Sequence, residues 1–198
     1  MTVRDPRNLH PVDAHGDPLT FAVSGLLAEL LGTVRTFEVD GVEVDPGDGL
    51  VAVEPVSGTI RLTRTNRGLI VDARLHAALA GECARCLQPL VIPIACRIDE
   101  EVLPTIDLAS GMSVALEEGM DLETPRLTDH HELELRPLVL EAISLQEPIA
   151  PLCDPDCPGL CTECGERLTA GHPDHGAPID PRLEALRAFR VDDEAETG

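Results

Sequence analysis

Six of the seven cysteines stand at spacings that suit a metal. Four of them, Cys153, Cys157, Cys161 and Cys164, fall within the run P-L-C-D-P-D-C-P-G-L-C-T-E-C-G, and Cys83 and Cys86 form a Cys-x-x-Cys far upstream. Thiolate is a soft donor that suits tetrahedral zinc, and a Cys-x-x-Cys turn presents two sulfurs to one ion without strain. Gly165, directly after Cys164, can take a positive φ and let backbone N–H groups face the thiolates. The C-x3-C-x3-C-x2-C cluster is long enough to wrap four thiolates around one zinc. Pro155, Pro158 and Gly159 deny it any regular element in which four cysteines would simply be buried. A closed four-thiolate shell is a structural site, with no open position for water.

Cys83 and Cys86 do not fill a shell, so their partners must come from elsewhere. Either Cys161 and Cys164 complete a two-knuckle site, or His172 and His175 join them and Cys153–Cys164 stands as its own site. His172 and His175 lie in A-G-H-P-D-H-G, at a workable distance from Cys164. A thiol oxidoreductase would need its first cysteine at a helix N-terminus, where the dipole lowers its pKa. Pro89 and a β pattern follow Cys86 instead. The seventh cysteine, Cys96, falls on the apolar side of a strand and reads as a small core residue.

The elements that must position these residues are legible as periodicity. Thr33–Val39 reads as a strand, and Ile60 and Leu62 alternate with polar neighbours before a turn at Asn66-Arg67-Gly68. Leu69 to Leu79 alternates as a long strand with one buried face, and Leu90, Ile92, Ile94, Cys96 and Ile98 do so after the knuckle. Pro93 places that last strand at an edge or a bulge. Leu135, Leu138, Val139, Ala142 and Ile143 then follow helical spacing, with Pro137 in the first turn and Pro148 past the end. Asp180 and Pro181 open a short terminal helix.

The expected fold is α+β. An antiparallel sheet runs from about residue 20 to 103 and carries the Cys83–Cys86 knuckle, within a mainly β region 1–103. An acidic loop follows at 104–130. The helix, zinc module and terminal helix occupy 131–190, and an acidic tail 191–198.

Composition narrows the function. The net charge is −21, all 15 basic residues are Arg, and the aromatic residues are three Phe. A surface this acidic repels phosphate, and three Phe cannot furnish a base-stacking platform. The segment 61–97 is the exception, with six Arg against Asp72 and Glu82. Direct RNA contact would concentrate there, on Arg61, Arg64, Arg67 and Arg74. Basic protein partners are electrostatically easier for the rest of the chain. Phosphate-loop, dinucleotide-binding, nucleophile-elbow and His-Glu-x-x-His signatures are missing from the sequence. No hydrophobic run approaches the roughly 18 residues of a membrane span, and the expected location is cytoplasmic.

The order G-E-C-A-R-C-L-Q-P-L, a β run, an acidic loop, L-R-P-L-V-L-E-A-I-S-L-Q-E-P-I-A-P-L-C, C-P-G-L-C-T-E-C-G and I-D-P-R-L-E-A-L runs over residues 81–186, within a stretch of resemblance at about residues 60–190. It resembles the YceD-type large ribosomal RNA subunit accumulation proteins. The resemblance implies a non-enzymatic bacterial factor for ribosome biogenesis, acting on large-subunit precursors, with zinc as a structural staple. The competing readings are a Cys-x-x-Cys oxidoreductase and a zinc-dependent adaptor of another complex.

Overall fold

The computed structural model describes residues 16–115, 124–173, 175, 182–183 and 186. Four consecutive strands form an antiparallel meander: β2 (Val34–Val42), β3 (Ala52–Arg64), β4 (Leu69–Glu82) and β5 (Pro89–Val102), in that spatial order. The alternation read from the sequence is the alternation of burial. Leu69, Val71, Ala73, Leu75, Ala77 and Leu79 face inward on β4, and Ile94, Cys96 and Ile98 do so on β5. Period-two side chains make one face of such a sheet apolar, and that face must be covered. Pro93 sits on β5, an edge strand, where a missing N–H is tolerated.

The cover differs from the sequence expectation. The sheet begins at Val34, not near residue 20. Residues Thr20–Ala22 form a short strand β1, which pairs with β6 (Glu132–Glu134) in a separate two-stranded ribbon. Three residues carry too little periodicity to be read as a strand pair, and their partners lie over a hundred positions away. A one-turn helix α1 (Ser24–Leu27) and the helix α2 (Arg136–Leu145) complete the layer. Phe21 meets Phe37 across the two layers, with ring centroids 4.9 Å apart. Leu26, Leu133, Leu135, Val139 and Ile143 fill the remainder of the core. The ribbon is tied down by Arg136, which gives Asp17 a two-pronged ion pair at 2.7 and 2.8 Å.

The stretch after β5 is also more ordered than a plain loop. Leu103 bridges Arg126 in parallel, Ile106 bridges Ser113, and Leu127 is buried in the core. Residues 116–123, the acidic tail and all but three positions of the expected terminal helix lie outside the described residues. The architecture is α+β: antiparallel sheets, few helices and a cysteine-rich region beside the β4–β5 turn.

Candidate metal centres

The β4–β5 turn is a knuckle. Cys83 N–H donates to the carbonyl of Gln88 (2.8 Å), and Leu87 N–H donates back to the carbonyl of Cys83 (2.9 Å), with Leu87 left-handed at φ 57°. The second Cys-x-x-Cys repeats this turn: Cys161 N–H to Glu166 (2.7 Å), Gly165 N–H to Cys161 (2.9 Å), and Gly165 at φ 73°. One six-residue geometry thus occurs twice, with Leu87 standing where the other knuckle has glycine.

Neither grouping expected from the sequence is the one the structure makes. Cys83 and Cys86 gather with Cys153 and Cys157, while Cys161 and Cys164 gather with His172 and His175; within each group every ligand atom lies within 4.8 Å of the others. The C-terminal run is therefore cut in the middle. Asp154 closes a tight turn that brings Cys157 back toward Cys153: its carboxylate accepts from Asp156 N–H (2.8 Å) and its carbonyl from Cys157 N–H (3.0 Å). Gly159 then reverses the chain at φ 84°, and a Cβ there would stand 3.3 Å from the carbonyl of Arg85. Beyond it, Cys161 points to a different centre.

The distances fit a tetrahedral ion. Zinc–sulfur bonds of about 2.3 Å at tetrahedral angles place sulfurs about 3.8 Å apart, and one sulfur–nitrogen edge comes to about 3.6 Å. The observed edges are 3.8 Å for Cys83–Cys157, 3.7 Å for Cys86–Cys153 and 3.6 Å for Cys164 Sγ to His172 Nε2. These sulfurs are too far apart for disulfides, and all seven cysteines are free. The residues in both clusters can hold a metal ion.

The thiols are unequal before any ion binds. Backbone N–H groups, chiefly that of Cys153, bring Cys83 down to about 6 against the opposing effect of burial. Cys153, hydrogen-bonded to Cys157 and desolvated, is pushed up to about 12. In the second cluster the N–H groups of Cys164 and Glu163 bring Cys161 to about 7. Cys96 stands apart in the main core, opposite Leu75 on β4, where burial raises its pKa.

With this geometry in hand, comparison with known proteins is decisive. The profile of the family described as "Large ribosomal RNA subunit accumulation protein YceD" matches residues 71–190, which takes in both knuckles and both histidines. The chain belongs to the YceD family. It is similar to an uncharacterized protein of Mycobacterium bovis and to one of Mycobacterium tuberculosis, each 33% identical over 166 residues, 82% of this chain and 73% of the relative. An uncharacterized protein of Mycobacterium leprae is 28% identical over 178 residues, 87% of this chain and 75% of the relative. No solved structure matches the chain.

On the outer face of this YceD chain's sheet Arg74 stands directly opposite Arg97, one row from Arg61. Arg61 and Arg74 are exposed on the outer sheet face, but Asp72 lies opposite Arg61, with Asp99 next in the same row. Arg74 lies 3.9 Å from Asp72 and Arg67 3.5 Å from Glu101. Arg64 is turned to structural use, donating to the carbonyls of Leu27 and Gly68 at 3.0 Å each and to Thr65. Arg61, Arg74 and Arg97 share the outer sheet face, interleaved with Asp72 and Asp99, while Arg64 is engaged by backbone carbonyls.

Two other arginines matter to the metal centres and were missed. Arg85, inside the first knuckle, donates to the carbonyls of Pro155 (3.3 Å) and Cys157 (3.0 Å). Ala84 N–H adds a bond to Pro151 at 2.8 Å, so the knuckle grips the incoming loop on both sides. Arg167 Nη2 lies 3.9 Å from Cys153 Sγ. Arg85 stands directly before Cys86 in the sequence, which was the available signal for it, whereas Arg167 meets Cys153 only through the fold.

Proposed function

We propose that this YceD-family chain is a non-enzymatic, zinc-stapled factor that supports accumulation of large-subunit ribosomal RNA. The family match carries the ribosomal part of this reading. The observation that carries the staple is the pair of four-donor clusters at tetrahedral spacing. Four protein donors close the shell, so neither centre offers the open position a catalytic zinc needs. The first staple fastens residues 153–157 to the β4–β5 turn, and the second gives shape to a segment with little apolar surface of its own. Among the described residues no helix is long and apolar enough to cross a membrane.

The partner this surface suits is a basic protein of the large-subunit precursor. Between β5 and α2 lies a cleft of about 120 Å³ whose acidic lining is Glu100, Glu141 and Asp99, the last already paired with Arg97 at 3.2 Å, with Leu138 and Leu145 as its apolar wall. A lysine or arginine side chain would place its stem on the leucines and its charge among the acids. The experiment is association with large-subunit precursors across a salt series. Glu100→Lys with Glu141→Lys should abolish association, while Arg61→Ala with Arg74→Ala should leave it intact. The reverse pattern would establish direct RNA contact in its place.

The oxidoreductase reading can call only on the backbone N–H groups around Cys83, which favour its thiolate. Those N–H groups serve a bound thiolate equally well, and Cys83 is fully buried. Purified protein carrying two zinc ions and inert toward disulfide substrates would decide for the staple. A dithiol that cycles near the cytosolic poise would decide for redox chemistry.

A further inference from the structure

The two clusters share a turn but not an environment. In the first, Cys83, Cys86 and Cys157 are buried, and Leu90 and Leu160 pack against them. In the second, Cys164 and His175 are exposed, and Cys161 and His172 are half-covered. Metal leaves a protein by stepwise replacement of its ligands, which requires that a competing ligand reach the ion and that a protein ligand swing away. The first cluster resists both. Two of its ligands stand at the ends of long paired strands, and the loop bearing the other two is gripped by Arg85 and Ala84. The second cluster invites both. His172 follows a turn closed by a bond from its N–H to the carbonyl of Thr169 (3.0 Å), and His175 is exposed.

The second cluster also delivers a group to the first. After its knuckle, the chain returns as a narrow hairpin: Leu160 bridges Arg167, and Leu168 N–H reaches the carbonyl of Gly159 at 3.0 Å. That return sets the Arg167 guanidinium beside Cys153 Sγ. Cys153 is the most exposed ligand of the first cluster and the place where an attacking chelator would start. An ion held by Cys161 and Cys164 fixes the knuckle on which this hairpin is built.

We propose that Cys161, Cys164, His172 and His175 form an exchangeable zinc site whose occupancy protects the zinc of the buried site by holding Arg167 against Cys153. The proposal rests on the zinc reading above. The buried site retains its ion while the exposed one follows free Zn²⁺, so the segment 161–175 is ordered or released according to zinc supply. Arg167 is a positioning residue in this scheme and binds no metal itself.

The test is zinc release from the full-length, Zn²⁺-loaded protein to a coloured chelator. Two phases of roughly one equivalent each are expected. His172→Ala with His175→Ala should remove the fast phase and speed the slow one by about tenfold, the effect of losing an outer-shell partner. Arg167→Gln should keep both equivalents and speed the slow phase by about the same factor. Arg167→Lys, which retains the charge, should restore most of the protection. Circular dichroism of the sheet, which contains none of these positions, verifies folding of each variant. Release of both ions in one phase, a fast phase that survives the histidine changes, or a slow phase indifferent to Arg167→Gln would overturn the proposal. A single equivalent retained by Cys83, Cys86, Cys153 and Cys157 would overturn it too, while leaving the staple intact. A chain that binds no zinc would overturn both.

Discussion

Single residues make the two knuckles testable against each other. Leu87 holds the left-handed conformation that Gly165 holds in the other turn. A side chain there costs about 1–2 kcal/mol, partly offset because glycine loses more entropy on folding. Leu87→Gly should therefore stabilise the protein by about 0.5–1 kcal/mol in denaturant unfolding, and Gly165→Ala should destabilise it by about 1 kcal/mol. Cys96 provides the contrast among thiols. It is buried opposite Leu75, away from both clusters, so Cys96→Ala should cost about 1 kcal/mol and leave bound zinc unchanged by elemental analysis. The sequence already placed Cys96 in the core, because period two put it on the apolar side of β5. It did not separate Cys157 from Cys161. Both are cysteines in one short run, and the division is made by a glycine reversal and by strands some seventy residues upstream.

At the scale of elements, alternation made β4 and β5 legible along their length. Of β3 only the end around Ile60 and Leu62 was legible, because its first half is irregular and buries Val56 alone. The ribbon of β1 and β6 was illegible for another reason: it is three residues on each side, and its pairing is a long-range event. The Asp17–Arg136 pair that fastens this ribbon to α2 gives a pH signature. Hydrogen bonds from Arg136 hold the Asp17 carboxyl below its ordinary pKa. A depressed carboxylate pKa contributes stability above the ordinary value, and this contribution is lost as pH falls through the lowered one. The pair is half-exposed, so its worth is about 0.5–1 kcal/mol after solvent screening. Asp17→Asn should lose that amount at neutral pH. Unfolding midpoints of variant and parent should then converge in acid, because the parent has lost the same ion pair.

For the whole molecule, the sheet core and the two candidate metal clusters are distinct packing units. The main core contains none of the eight ligand residues, whereas the first cluster is its own small core with Leu90 and Leu160. Stripping the metal should expose residues 150–175 to limited proteolysis while the circular dichroism of the sheet persists; global unfolding on chelation would contradict this separation. The span of the first cluster has a consequence in time. Its ligands pair across 67 and 74 positions, Cys86 with Cys153 and Cys83 with Cys157. A chain made at about 5–20 residues per second leaves roughly 3–15 seconds between synthesis of the first two ligands and the last two. In that interval the β4–β5 turn presents an incomplete dithiol, and one of its sulfurs is the partner for which the rest of the shell has yet to be made. The complete four-donor cluster can thus come together only late in biosynthesis.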